Sequence, residues 1–225
     1  MKRISLSIAL PTAVLIMLGT ASAAHAAGTA NLKVTGVIRP GACDLTLSSR
    51  GTVDYGTIAR TALSVTAPTA LPEKIVVFVI NCPGSATKTA LKLTDNRADT
   101  VVNGIIQTID NSLGDKTAFG LGTANNKHLG VYGVQFHAVN GESGLITPYH
   151  RDDSSSGWLR NAQIADHYFS GDQKSWGISD ISGPSAFKRI TGYLNIRAVI
   201  DKLNNLPAGD DLQLNGSATL EMIYL

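Results

Sequence analysis

Apolar and polar positions alternate through the last ten residues of the chain. Ala218, Leu220, Met222 and Tyr224 fall on one side of an extended strand, and Ser217, Thr219 and Glu221 fall on the other, with Ile223 the one apolar exception. Strand side chains point alternately to opposite faces, so this pattern predicts a half-buried β-strand running to the C-terminus, an edge in need of a partner. A longer alternation covers Ile190 to Ile200, where Ile190, Gly192, Leu194, Ile196, Ala198 and Ile200 share a face. Ile75 to Ile80 is a continuous apolar run, predicted as a central strand buried on both faces. Further strands are predicted at Thr52–Ile58, Ala90–Thr94, Val101–Ile109 and Val131–Val139, the last with Val134, Phe136 and Ala138 on one face.

No segment keeps a helical apolar period for long. The best helical candidate, Leu159–Tyr168, is short. Many short strands separated by turn residues predict an all-β, antiparallel sandwich. Residues 141–188, rich in Ser, Asp, Gly and aromatics, break the rhythm and are predicted as a long loop excursion between core strands.

Residues 1–26 stand outside this pattern. Lys2 and Arg3 precede an apolar stretch from Ile4 to Leu18, and small residues offer cleavage after Ala23 or Ala26. This layout predicts a signal peptide and an exported chain, followed by an extension over residues 27–38 and a domain over 39–225. The 19 Lys and Arg against 17 Asp and Glu become 17 against 17 once Lys2 and Arg3 are removed, leaving no basic surplus for nucleic acid or an acidic membrane. The only cysteines, Cys43 and Cys82, predict a disulfide in an oxidising compartment, worth roughly 4 kcal/mol in the chain-entropy description. A metal pair or a redox pair would normally be closer in sequence.

These features together resemble the subunits of chaperone–usher fimbriae (pili). The resemblance rests on the short segment Gly28–Val37, on Gly-Val-Ile-Arg-Pro-Gly-Ala-Cys leading to Cys43, and on Asp44-Leu45-Thr46-Leu47. It rests further on Val53-Asp54-Tyr55-Gly56-Thr57-Ile58, on Cys82 closing an apolar strand, and on Tyr224 as the penultimate residue. It covers residues 28–82 and 186–225. It implies an immunoglobulin-like sandwich lacking its last strand, whose groove a periplasmic chaperone fills first and the N-terminal extension of a neighbouring subunit fills in the fibre, after passage through an outer-membrane usher. Ala30, Leu32, Val34 and Gly36 are then the donor-strand residues, and Ala218, Leu220, Met222 and Tyr224 belong to the strand lining the groove. Three departures stand out: the position of Gly216, the excursion, and the brevity of the extension if cleavage follows Ala26.

Within the excursion, Trp158, Tyr168, Phe169 and Trp176 accompany Asp152, Asp153, Asn161 and Gln163. Trp158, Tyr168 and Trp176 could form a sugar-binding surface, or cover a secondary apolar cluster. His150, Asp152, Asp153 and His167 lack the spacing of a recognised metal site. No Gly-x-Ser-x-Gly elbow occurs, and Gly120-Leu121-Gly122 reads as a turn, not a dinucleotide fingerprint. The expectation is a structural or accessory fimbrial subunit without enzymatic activity or cofactor. The alternatives are a fibre-tip adhesin using the excursion and an exported β-sandwich hydrolase.

Overall fold

The computed structural model describes residues 31–37, 42–152, 156–160, 171–178, 183–209 and 211–225. The chain divides into two units, Met1–Ile38 and Arg39–Leu225. In the first, residues 31–37 have no regular secondary structure and are exposed, with Leu32 at 91% and Val34 at 88%.

The second unit is built of β1 (Asp44–Leu47), β2 (Thr69–Ala70), β3 (Lys74–Asn81), β4 (Thr89–Asp95), β5 (Phe119–Gly120), β6 (Thr123–Ala124) and β7 (Lys127–His128). It continues with β8 (Gly130–Gly141), β9 (Gly144–Leu145), β10 (Thr147–Arg151), β11 (Leu159–Arg160), β12 (Gln173–Gly177), β13 (Arg189–Ile200) and β14 (Ala218–Tyr224). Among the described residues there is no α-helix, only short 3₁₀ turns. One antiparallel sheet has the order β1-β3-β13-β8-β5, with β2 on β13 and β9 on β8; a second has the order β11-β10-β12-β4-β14. β6 and β7 form a small hairpin across Asn125 and Asn126, both at positive φ, as a two-residue turn between twisted strands requires.

Side chains from both sheets share one core. Phe78 of β3, Phe136 of β8 and Trp176 of β12 meet with ring centroids 5.4, 5.7 and 5.0 Å apart. The predicted inward set of β13 is buried throughout. On the opposite side of the same strand, Val199 joins Val131, Ile105, Ile106 and Leu113 in a second cluster. Cys43 and Cys82 form a disulfide that continues the β1–β3 ladder one step beyond the Asp44–Asn81 pair. Such a bond suits an oxidising, extracytoplasmic compartment. No helix among the described residues is long and apolar enough to cross a membrane.

Several sequence expectations are corrected. β3 is buried on one face only: Val76, Phe78 and Ile80 point inward, whereas Ile75 is 60% exposed. β-branched residues favour any pleated, half-buried surface, so an apolar run does not require two covered faces. Thr52–Ile58 is not a strand, because the Asp54 carboxylate accepts the Gly56 N–H at 2.7 Å and turns the chain. Val101–Ile109 contains a 3₁₀ turn at Ile106–Thr108, and its apolar residues feed the second cluster.

Among its described residues the excursion is largely sheet where a loop was expected: residues 141–188 supply β9, β10, β11 and β12, including three of the five strands of the second sheet. Leu159–Arg160 pairs with β10, so the helix predicted at Leu159–Tyr168 does not begin there; its remainder lies outside the described residues. The β8 alternation also fails at one place. Ala138 and Val139 together oppose Gly192, a β-bulge with Ala138 at φ +46°, so Val139 is buried and Ala138 only half-buried. A Cβ on Gly192 would lie 2.7 Å from Phe78 and 2.9 Å from Val139, so the bulge and this glycine fit one another.

The placement of the two tryptophans gives a direct check on the core. Trp176→Ala should cost about 3–5 kcal/mol in urea denaturation, as for other buried aromatics. Trp158→Ala, which removes only a half-buried ring 4.6 Å from the Arg151 guanidinium, should cost about 1 kcal/mol or less.

Candidate functional site

Among the described residues the two sheets each end in a strand with one unpaired edge, β1 in the first and β14 in the second. β14 follows from its sequence alternation: Ala218, Leu220 and Met222 face the core, and its ladder to β4 runs in continuous register from Ala218–Asp95 to Tyr224–Thr89. Asn96 secures its start, donating from Nδ2 to the Ser217 and Thr219 hydroxyls at 3.1 Å each. At its other end the Tyr224 hydroxyl accepts the Cys43 N–H at 2.8 Å, joining the last strand to the disulfide at the head of β1.

Between these strands lies a groove of about 420 Å³. Leu47, Val53 and Tyr55 form one wall, and Leu214, Ala218 and Leu220 form the other. The floor is apolar, supplied by Val76 of β3, Val134 of β8, and Leu194 and Ile196 of β13, with Leu93, Leu121 and Tyr132 toward the β14 side. The wall residues are half-buried and pack against the core without being enclosed by it. Each therefore still presents apolar surface that one added strand would cover, at about 25 cal/mol per Å².

The wall that sequence alternation suggested as a strand is held by a side chain. Tyr55 accepts the Ala198 N–H at 3.2 Å and donates to the Ile196 carbonyl at 3.3 Å, with Lys74 Nζ 5.6 Å from its ring centroid. Burial raises the Tyr55 phenol above its usual range, and burial followed by the Asp95 carboxylate raises Tyr132 much further. Leu121, Tyr132 and Leu214 were not singled out by the sequence. The alternation of Val53 and Tyr55 was the available signal for this wall.

The other sequence-predicted sites separate. Leu32, Val34 and Gly36 lie in the exposed segment, and Ala30 lies outside the described residues. Trp176 is 1% exposed between the sheets, so it is removed from any ligand surface. The physical reason is that β12 pairs on both edges and its alternate side chains must enter the core. Trp158 stays near the surface against Arg151, while Tyr168 lies outside the described residues, as do Asp153 and His167.

Two comparisons bear on this geometry. Residues 32–133, somewhat under half of the chain, match a family described as "Protein of unknown function (DUF1120)". The chain is also similar to Protein GltF of Escherichia coli (strain K12), with 26% identity over 226 residues covering 86% of this chain and 87% of that protein. The family match includes β1 and the Val53–Tyr55 wall but stops before β13 and β14.

Tyr132 makes the groove floor measurable by pH. In the unfolded chain a tyrosine loses its proton near pH 10, whereas the folded Tyr132 keeps it, so the folded state binds more protons above that pH. Stability should therefore be unaffected below about pH 9 and fall as pH rises past about 10. Tyr132→Phe should make that fall shallower in denaturation midpoints taken between pH 8 and 11.

Separately, Tyr224→Phe should lower stability by about 1 kcal/mol and speed amide exchange at Cys43, since it deletes the hydroxyl that accepts this N–H.

Proposed function

We propose that this protein is an exported, non-enzymatic structural or accessory subunit of a surface fimbria. In this reading it is an immunoglobulin-like sandwich missing one strand, and it assembles by strand exchange. The observation that carries the reading is the apolar groove between the free edges of β1 and β14. A strand laid there would find a backbone ladder on β14 and pockets for every second side chain, the combination that drives strand addition. An exposed apolar edge is otherwise a liability for a chain that must cross the periplasm, which gives a capping chaperone its purpose.

The occupant in the fibre is the 27–38 segment of a neighbouring molecule. Ala30 to Gly36 would span about 20 Å when extended at about 3.3 Å per residue, comparable to the stretch from Leu214 to Leu220 that lines the groove. Leu32 and Val34, exposed at 91% and 88%, are the side chains with most to gain from the pockets. Such a contact is head-to-tail and does not close, so it propagates as a filament. The partners in this reading are a periplasmic chaperone, an outer-membrane usher and neighbouring subunits.

The test is the state of the protein sheared from the surface of the cells that make it. In SDS without heating, a ladder of high-mass species should appear and collapse to one band on boiling. Leu32→Asp and Val34→Asp should leave the chaperone-bound subunit intact yet abolish the ladder, because a lone charge is too costly to bury in an apolar pocket. A single band in both wild-type lanes, or an undiminished ladder from both variants, would refute the assignment.

A further inference from the structure

The segment that supplies the Val53–Tyr55 wall of the groove belongs to neither sheet. It leaves a turn in which Ser49, Arg50 and Gly51 stand in succession at φ +50°, +53° and +76°. Two of these carry a Cβ in a conformation that costs them energy, so the chain's direction is imposed there. Beyond the wall, the Arg60 guanidinium ties the chain down by donating to the Pro207 carbonyl at 3.0 Å. Between the two ends, the Gly56 N–H is satisfied locally by Asp54. Among the described residues, every hydrogen bond from residues 53–58 to the rest of the domain passes through one atom, the Tyr55 phenol oxygen.

That oxygen lands at a break in the first sheet. β2 ends at Ala70 and β3 begins at Lys74, with Pro72 between them, so β13 lacks a continuous partner here. Leu71 N–H still reaches the Ala198 carbonyl at 2.8 Å. The Ala198 N–H donates to the Tyr55 hydroxyl, and the hydroxyl donates to the Ile196 carbonyl. A side chain thus stands in for the missing rungs. Ala198 is fully buried, so no water can replace the phenol if it is withdrawn.

We propose that Tyr55 is a positioning residue for strand entry, its hydroxyl latching an unladdered wall where an added strand can seat. The inference rests on the strand-addition reading and deepens it: the groove is shaped before the strand arrives. Val53 and Ile58 also pack on the core, but apolar contact is non-directional and lets a segment slide. The two bonds of the phenol fix its position. A dry cavity of about 150 Å³ admits benzene, so the groove of about 420 Å³ has room for Leu32 and Val34 together. With the latch gone the wall spends time elsewhere, and a strand binds more weakly in proportion.

The test uses the full mature chain carrying Leu32→Asp, which keeps its own extension out of the groove. A fluorescently labelled synthetic peptide of residues 27–38 is the probe. Tyr55→Phe keeps the ring and removes the latch. It should slow peptide association and weaken binding by about ten-fold. It should also lower the backbone ¹⁵N order parameters of Val53–Ile58 to below about 0.6. Ile106→Val, which loosens the second cluster on the far face of the first sheet, should leave both readouts unchanged. Unchanged order parameters and association in Tyr55→Phe, or equal slowing by Ile106→Val, would overturn the latch alone. Failure of the peptide to bind even the Tyr55 chain would refute strand addition and this role with it.

Discussion

The packing of Phe78, Phe136 and Trp176 is what makes two sheets into one domain. The rings come from β3, β8 and β12, each from a different stretch of the chain, and no local interaction brings them together. Edge-to-face and offset arrangements of this kind contribute beyond their buried area, and the area itself is large. Once the three rings interlock, the spacing of the sheets is set at the centre, and both margins inherit that spacing. Gly192 must then lack a side chain, because Phe78 occupies the space a Cβ would take.

The two margins resolve the spacing differently. On one side β1 and β14 are joined where the Tyr224 hydroxyl meets the Cys43 amide, and beyond that point the core lies open between them. On the other side the chain crosses between sheets through β9 and β10, close enough for Val139 and Ile146 to bond, and only a small cavity is left. The larger opening is long and lies beside the outer edge of β14. The smaller is compact and walled mainly by apolar side chains. The same pair of sheets thus leaves two openings of different size and shape.

Much of this was legible in the residue pattern where a strand has one wet and one dry face. Alternation marks β13 and β14, although Val199 buries part of the far face of β13 as well, and the Cys43–Cys82 disulfide follows from two cysteines in a chain whose first residues read as an export signal. Legibility was lost where side chains substitute for ladders. Val53 and Tyr55 alternate like a strand but hold the wall through a phenol, since Asp54 and Gly56 divert the backbone. The 141–188 stretch misled for the opposite reason. Its strands are short, and Lys174 and Asp172, a buried pair at 3.1 Å, read as polar surface beside it, so Trp176 gave no local sign that it belonged to the core. The groove floor assembles from four distant strands, a juxtaposition that periodicity does not encode.

The place of β13 in the chain has a consequence for how the molecule is made. This strand binds β3 on one side and β8 on the other, yet it follows both in sequence, β3 by more than a hundred residues. A nascent or translocating chain therefore presents β3 and β8 before the strand that unites them exists. Non-local closure of this sort is slow, and it leaves apolar strands unprotected while it waits. Export from the N-terminus forward lengthens that wait, so the hazardous interval comes before completion of the domain, when a collision between two unfinished copies competes with the arrival of residues 189–200.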